Sequence, residues 1–578
     1  MKSAETDEAP PRSAESSTAV SEQEEPAHPC APAARALLSR ARPTLLFLLA
    51  WAFIDAMLNV RYPVEEPALW YLVPTADVMV LFGFFALLGW GGAKVPAWGR
   101  GVLVALVLLV RLVRLGDGIQ EHYFEQPFNL YTDLPMTLEL MRFGLSTLGG
   151  FRFAGVLLGV LALLAGTSYA VYRALQHMER YLSEPRHVAG VAALGAVVFV
   201  AGAQVEHEPH AQKLFDHGFG TSAFKRLRYE ATFTINVHGE SGAYARRITA
   251  AEQAVESAPH DLASLRGRNV HLILVESYGE AVFARESFAR AMTPVIERYD
   301  IELGQKGFGM VSGLLDSPTY GGRSWLAHAT LGTGVKVQNQ LQYEIVCVRA
   351  PKTLARYFKQ AGYRTVLAQP GTTRAWPKGE FYGFDQKYYL WNFDYQGPPF
   401  SWATMPDEYV LDFLGRKELV TPSKQPLFIQ YTLVSSHAPW SDVPLPVPDP
   451  KLIGNGALYH ELPRLTFPVE WPHFENASEP YITSILYDFE VIRRFITTYV
   501  QDDALVIVLG DHQPVKEVTE GAPSHGVPVH VFSRDKELLA PFARRGYVPG
   551  MRPSLGAPRA GLETFMASLL SDFSQKKP

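Results

Sequence analysis

The chain has 578 residues, enough for more than one domain, and a net charge of −5 from 53 basic and 58 acidic side chains. The charges are mixed in sign, with no basic stripe, which excludes a nucleic-acid-binding footprint. Its two cysteines, Cys30 and Cys347, are too few for a disulfide scaffold or a zinc finger and leave the redox compartment open.

Residues 1–40 are rich in Glu, Ser, Pro and Ala and nearly lack large apolar side chains, which predicts a disordered cytoplasmic tail. With no basic start and early apolar core, this stretch is not a cleavable signal peptide. Residues 41–206 then read as a five-helix transmembrane domain. The apolar runs are Leu45–Val60, Tyr71–Trp90, Gly101–Leu115, Phe153–Val171 and Val188–Val205, each near the roughly 20 residues that span a bilayer core. The first and third are short and carry Asp55, and Arg111 with Arg114, charges that are costly in lipid. Buried helices of a soluble bundle are the alternative, and five such runs in close succession speak against it.

Loop charges set the orientation. Arg35, Arg40 and Arg42, then Lys94 and Arg100, then Arg173, Arg180 and Arg186 fall on one side. The alternate loops carry Glu65 and Glu66, then Glu121, Glu125 and Asp133, the latter with Arg142 and Arg152 near its end. An inside amino terminus and five crossings place everything after Val205 outside the cytoplasm. Residues 207–266 read as a linker along the membrane surface, with an amphipathic stretch at Ala223–Phe233; the alternative is a first helix of the outer domain.

From about residue 267 to 545 the pattern is α/β. Val270–Val275, Arg364–Ala368, Pro426–Val434 and Ala504–Leu509 read as strands, and Thr353–Ala361 and Tyr481–Val500 as helices. Strands alternating with helices predict a mostly parallel central sheet, and the continuous apolar runs predict strands covered on both faces. Residues 546–578 are expected to be a C-terminal tail.

Three strand ends carry chemistry. The first runs into Glu276-Ser277-Tyr278, the third into Ser435-Ser436-His437-Ala438-Pro439-Trp440, and the last into Gly510-Asp511-His512. If these strands are parallel neighbours, Glu276, His437, Asp511 and His512 emerge on one edge, a donor set suited to zinc or manganese. In Tyr320-Gly-Gly-Arg-Ser-Trp-Leu-Ala-His328, Ser324 follows a Gly-Gly turn and opens a helical pattern. A hydroxyl there is either a metal-activated nucleophile at a helix amino terminus or a plain helix cap.

Taken in order, Glu-Ser, the Gly-x-hydroxyl nucleophile, S-S-H-x-P and G-D-H resemble the lipoteichoic acid synthases. More broadly they resemble the sulfatase-like phosphoglycerol and phosphoethanolamine transferases of the alkaline phosphatase superfamily. The resemblance spans roughly Leu45 to Ser533. It implies one divalent metal ion, manganese or zinc, held by Glu276, Ser324, Asp511 and His512, with Ser324 as catalytic nucleophile where the family usually has threonine. It implies a substrate-binding His437 and a polar cluster of Gln369, Trp376 and Lys378, where relatives often carry histidine and arginine in place of Gln369 and Lys378. Lysine lacks arginine's bidentate fork, which Arg323 and Arg374 could compensate; His525, in P-S-H-G-V-P, either lines the site or belongs to a surface loop. The function implied is transfer of a phosphoglycerol or related head group from a membrane phospholipid, phosphatidylglycerol favoured, to a glycan or lipid-linked acceptor. The place implied is the bacterial inner membrane, with the catalytic domain on the outer side. Alternatives are a phosphodiesterase or sulfuric ester hydrolase on the same fold, or an inactive membrane scaffold. Neither Cys347 (C-V-R-A-P) nor Ser324 (S-W-L-A-H) fits the C/S-x-P-x-R pattern of formylglycine sulfatases, and all four metal positions keep competent side chains.

Overall fold

A computed structural model describes residues 30–60, 75–124, 128–134, 148–193, 223–373, 376–420, 424–469, 473–521 and 524–575, with Met141 and Leu145 besides. The amino-terminal module holds α1 (Cys30–Asn59), α2 (Ala76–Trp90), α3 (Ala97–Phe124), the short α4 (Leu130–Asp133) and α5 (Gly150–Leu182). Phe47, Ile54, Phe82, Phe85, Val107, Leu175 and Met178 form its core. α1 begins at Cys30, inside the stretch expected to be disordered, and residues 1–29 lie outside the described residues.

The charges of the first and third apolar runs turn toward the protein. Asp55 accepts from Asn59 at 3.1 Å and Thr75 at 2.5 Å. Arg114 donates to the Leu58 carbonyl at 3.3 Å and Arg111 to that of Val60, so these charges find partners within the helical module. Among the described residues, two helical segments are long and apolar enough to cross a membrane, Ala41–Asn59 and Gly150–Leu182. At 15 residues α2 is shorter, and α3 carries Arg111 and Arg114 within its apolar stretch. The last expected crossing, Val188–Val205, lies largely outside the described residues.

α6 (Ala223–Ser257) joins the two parts of the molecule. Near its start Arg226 pairs with Asp117 of α3 at 2.8 Å and Glu230 at 2.7 Å. Its later residues Tyr244, Ile248 and Val255 are buried in a core of the carboxy-terminal domain. That half of the helix therefore behaves as the domain's first helix rather than as a surface linker.

The carboxy-terminal domain is built on β1 (Val270–Val275), β2 (Gly309–Asp316), β3 (Arg364–Gln369), β4 (Gln386–Tyr389), β5 (Leu427–Thr432), β6 (Leu505–Gly510), β7 (Gly526–Ser533), β8 (Val548–Pro549) and β9 (Ala560–Gly561). The sheet runs β8-β2-β7-β6-β1-β5-β3-β4, with β9 also on β2. From β6 to β4 all pairs are parallel, while β7 runs antiparallel to β6 and β2.

Alternation along the central strands feeds two cores, as a strand period of two requires. Ile273, Val275, Val506, Val508, Ile429 and Tyr431 face one core, with α7 (Glu286–Gln305) packed there. Leu272, Leu274, Ile507, Leu509 and Phe428 face the other, covered by α8 (Ser324–Thr333), α9 (Gln340–Arg349) and α10 (Leu354–Gln360). α11 (Ser478–Tyr499) lies on the first face and α12 (Thr564–Asp572) on the second.

The expected tail is thus part of the domain. β8 and β9 extend the sheet, and Phe565, Met566, Leu569 and Leu570 of α12 are buried. That helix is nine residues long, and a hydrophobic face this brief is hard to tell from an incidental apolar cluster.

Candidate metal centre and active site

β6, β1 and β5 are consecutive in the sheet, with Val275 opposite Gly510 and Leu274 opposite Thr432. Residues leaving these strands therefore meet at one carboxyl edge, where open α/β sheets place their ligands. A Cβ on Gly510 would lie 1.7 Å from the Tyr278 carbonyl oxygen. Only glycine lets the two chain exits approach this closely and bring Asp511-His512 against Glu276.

Ser324 arrives from the side. Gly321 and Gly322 take φ of 67° and 145°, and Arg323 follows at 60°. This turn delivers Ser324 as the first residue of α8. Its hydroxyl lies 2.9 Å from both Glu276 carboxylate oxygens and 3.1 Å from His512 Nε2. His512 Nδ1 is 2.8 Å from the Gln513 carbonyl, so that nitrogen donates and Nε2 faces the cluster. Asp511 Oδ1 accepts from the backbone N–H of Ser277 at 2.9 Å and of His512 at 2.8 Å.

Asp511 Oδ2 is buried without a hydrogen bond among the described residues and lies 3.3 Å from His328 Nε2. One donor atom each from Glu276, Asp511 and His512 lie within 4.8 Å of one another, and all three residues are buried. Two buried carboxylates, an orphaned carboxylate oxygen, an imidazole nitrogen and a hydroxyl fit a divalent cation of the zinc or manganese type.

The electrostatics agree with that fit. Burial pushes the Glu276 carboxyl up, but the hydrogen bond and charge of His512, with the charges of His437 and His328, outweigh it and hold Glu276 well below the usual range. Burial pulls His512 down, but the Asp511 charge, the hydrogen bond and charge of Glu276 and the Gln513 carbonyl raise it to about 9. Without a cation the imidazole carries a proton toward Glu276, and a bound cation replaces that proton.

The other residues named from sequence are placed variously. His437 is half-buried, Nδ1 2.6 Å from the Ala438 carbonyl and its ring stacked on Trp402 at 4.8 Å and 10°. Asp407 accepts from the N–H groups of Val434 and Ser435 at 2.9 and 2.7 Å, and Ser436 Oγ donates to the Glu276 carbonyl at 2.7 Å. These bonds tie the loop bearing His437 to the cluster. Gln369 closes β3, on the far side of β5 from β1.

Trp376 packs against Tyr382, centroids 5.7 Å apart, in the wall of the second core. Lys378 pairs with Glu344 of α9. Arg323 is buried and faces Asp133 of the amino-terminal module, so its charge is committed elsewhere. His525 stands behind Asp511, its Nδ1 3.2 Å from the carbonyl of Ser317, whose hydroxyl donates to the Asp511 carbonyl at 2.5 Å. Arg374 lies outside the described residues.

Two neighbours escaped the sequence reading. His328 is four residues after Ser324, so one helical turn puts both on the same face; the i, i+4 spacing was the available signal. Trp402 sits in a tight turn closed by Phe400 and Ala403 and meets His437 through tertiary contact alone.

Residues 268–537 match the family model described as Sulfatase. The carboxy-terminal domain is a sulfatase-family domain, and with the cluster above it is an enzyme of the transferase or hydrolase type. Among solved structures the chain is similar to the lipoteichoic acid synthase LtaP from Listeria monocytogenes, at 15% identity and TM-score 0.37 over 56% of this chain and 78% of that one. It is similar to the C-terminal periplasmic domain of EcEptC from Escherichia coli, at 15% identity and TM-score 0.35 over 52% and 80%. A third is the Streptococcus pyogenes phosphoglycerol transferase GacH in complex with sn-glycerol-1-phosphate, at 13% identity and TM-score 0.32 over 57% and 91%. No curated protein matches the sequence. Likenesses this distant stand as resemblances, and the site's own residues carry its chemistry.

Proposed function

We propose that this protein is a membrane-anchored, metal-dependent transferase that moves a phospholipid head group from a lipid donor to an acceptor outside the cytoplasm. The observation that carries the reading is the Ser324 hydroxyl, held at 2.9 Å from Glu276 and 3.1 Å from His512 at the start of a helix. A capping serine would turn its oxygen to backbone N–H groups of its own helix. This one is turned to a buried cluster of metal-type donors.

Glu276, Asp511, His512 and the Ser324 hydroxyl would hold zinc or manganese. When bound, the metal supplies Lewis acidity that lowers the pKa of the hydroxyl and offsets charge on the phosphoryl oxygens. Ser324 Oγ, its proton given up to solvent water, attacks the phosphorus of the donor phosphodiester and forms the new P–O bond. The diacylglycerol oxygen leaves as its P–O bond breaks and takes up a proton, a role the reading gives to His437. The resulting phosphoserine ester passes the head group to an acceptor hydroxyl, which gives up its own proton and restores Ser324.

The order of sequence motifs favours phosphoglycerol, with phosphatidylglycerol as donor and a glycan or lipid-linked acceptor. Membrane attachment is supported by α5, whose Phe151, Leu158 and Leu163 are 99, 67 and 71% exposed, an apolar surface suited to lipid. Loop charge bias supports an amino terminus inside, five crossings of a bacterial inner membrane and an outer domain beyond it.

The match to the Sulfatase family favours one second reading, a phosphodiesterase or sulfuric ester hydrolase in which water replaces the acceptor. Full-length protein in vesicles of phosphatidylglycerol or phosphatidylethanolamine, loaded with zinc or manganese, separates the two. Diacylglycerol release that rises with added acceptor supports transfer, and release indifferent to acceptor supports hydrolysis. Release from neither lipid removes the phospholipid donor.

A further inference from the structure

Arg323 directly precedes the nucleophile, and its backbone and side chain are both under constraint. A non-glycine residue at φ 60°, ψ 39° is strained and persists only where its surroundings fix it. Its carbonyl accepts from the Leu326 N–H at 2.9 Å, so the same peptide unit closes the first turn of α8. The guanidinium, at the other end of the side chain, is buried against the amino-terminal module. Its Nη2 lies 3.7 Å from Asp133 Oδ1 and donates to Gln120 Oε1.

Those two residues are themselves fixed. Gln120 lies in the last turns of α3, and Asp133 ends α4 with its Oδ2 accepting the Asn129 N–H at 2.9 Å. The α4 segment is fastened to α6: Glu230 accepts from the Leu130 N–H at 3.2 Å, and Arg226 bridges Asp117 and the Phe128 carbonyl. A hydrogen-bonded chain thus runs from the end of α3 to the residue beside Ser324.

We propose that Asp133 and Gln120, contributed by the helical module, are positioning residues for the reaction: by holding the Arg323 guanidinium they set the turn that presents the Ser324 hydroxyl to Glu276 and His512. This rests on the reading of Ser324 as nucleophile and metal ligand. It makes the amino-terminal module part of the catalytic apparatus rather than an anchor alone. It also explains why a cation next to the nucleophile is spent on a carboxylate 190 positions earlier in the chain. A buried guanidinium without a counter-charge is strongly unfavourable, so removing Asp133 should release the turn.

The test uses full-length protein and the variants Asp133→Asn, Arg323→Gln and the double variant. Asparagine keeps an oxygen for the Asn129 N–H and removes only the charge that faces Arg323. Two readouts are taken: zinc affinity by competition with a chromophoric chelator, and cleavage of bis(p-nitrophenyl) phosphate, a soluble phosphodiester. Partners that orient a metal ligand are worth about 10- to 100-fold in affinity or activity, so Asp133→Asn should lower zinc affinity and kcat by about that factor with little change in KM. Because Asp133 acts through Arg323, the double variant should be no worse than Arg323→Gln alone. Unchanged zinc affinity and kcat in Asp133→Asn would overturn the proposal, as would losses that simply add in the double variant. If phospholipids are not cleaved but bis(p-nitrophenyl) phosphate is, the lipid-donor reading fails while this cycle still decides. If neither is cleaved, the zinc cycle decides alone.

Discussion

Replacing Asp511 with asparagine tests the metal centre with little disturbance to the fold. The asparagine oxygen can keep both backbone bonds that Asp511 Oδ1 makes, to Ser277 at 2.9 Å and His512 at 2.8 Å, so the end of β6 should hold its shape. What changes is Oδ2, buried, without a hydrogen bond and 3.3 Å from His328. With Glu276 and Asp511 ionised, a divalent cation is neutralised; in the Asp511→Asn variant one positive charge is left uncompensated in a site whose Asp and His are 2% and 1% exposed. Breaking a buried charge pair by removing one partner costs about 3–5 kcal/mol, or roughly 100- to 5,000-fold in affinity. Asp511 is also the first of the charges that raise His512. Its loss makes the competing proton easier to displace and moves the expectation to the lower end, about 100-fold.

The assay is chelator competition on full-length protein, with elemental analysis and thermal unfolding alongside. At free metal about 100 times the wild-type Kd, binding stabilises wild type by about 2.7 kcal/mol, and a variant bound 100-fold more weakly gains only about 0.4. Unfolding of the metal-free proteins should nearly coincide, whereas the metal-loaded ones should separate. Unchanged metal content in both Asp511→Asn and His512→Ala would refute the assignment of the strand-end cluster.

Three further outcomes are expected. Ser324→Ala should lose about 10⁴- to 10⁶-fold in diacylglycerol release from phosphatidylglycerol, as expected for loss of a covalent nucleophile, while Ser324→Thr keeps a hydroxyl and should retain activity; release by the alanine variant within tenfold of wild type removes Ser324 from the mechanism. His271, fully buried on β1, is pulled by burial from 6.5 to about 4, against a small opposing effect of Gln501. A depressed histidine contributes stability that is complete above pH 6.5 and lost as pH falls through 4, so wild type should lose about 3 kcal/mol relative to His271→Gln between pH 7 and pH 4. Thermal unfolding at the two pH values checks this, and parallel behaviour counts against it. A topology reporter fused after Arg266 should be active only outside the cytoplasm and one fused near Arg180 only inside; cytoplasmic activity at Arg266 removes both the five-crossing topology and access to the outer leaflet.

The strands that carry the site were legible because a segment covered on both faces has little freedom of composition. Val270–Val275 and the run ending at Leu509 consist almost wholly of apolar residues, broken by turn and metal-type residues, and the structure puts strands there within a residue. Glu276, Ser324, Asp511 and His512 could be picked out as candidates for a similar local reason, since each stands where a strand ends or a helix begins; that the four form one ligand set came from the resemblance carried by the order of motifs. Apolar runs likewise marked out the helical module, since helices packed around an apolar core and a buried strand both write themselves into composition. Pairing and direction were not written there. That β1 lies between β5 and β6, so that three strand ends converge, depends on hydrogen bonds between segments some 150 to 230 positions apart. The same holds for Trp402 against His437, for Lys378 drawn to Glu344, and for α12 closing the second core. Arg323 shows the limit most plainly. Its sequence neighbours, Gly-Gly before and Ser after, suggest a cation aimed at phosphate, yet the packing of the helical module brings Asp133 to it first. A side chain's chemistry is local, whereas the partner that uses it is chosen by the packing of the whole chain, and only the tertiary structure decides that.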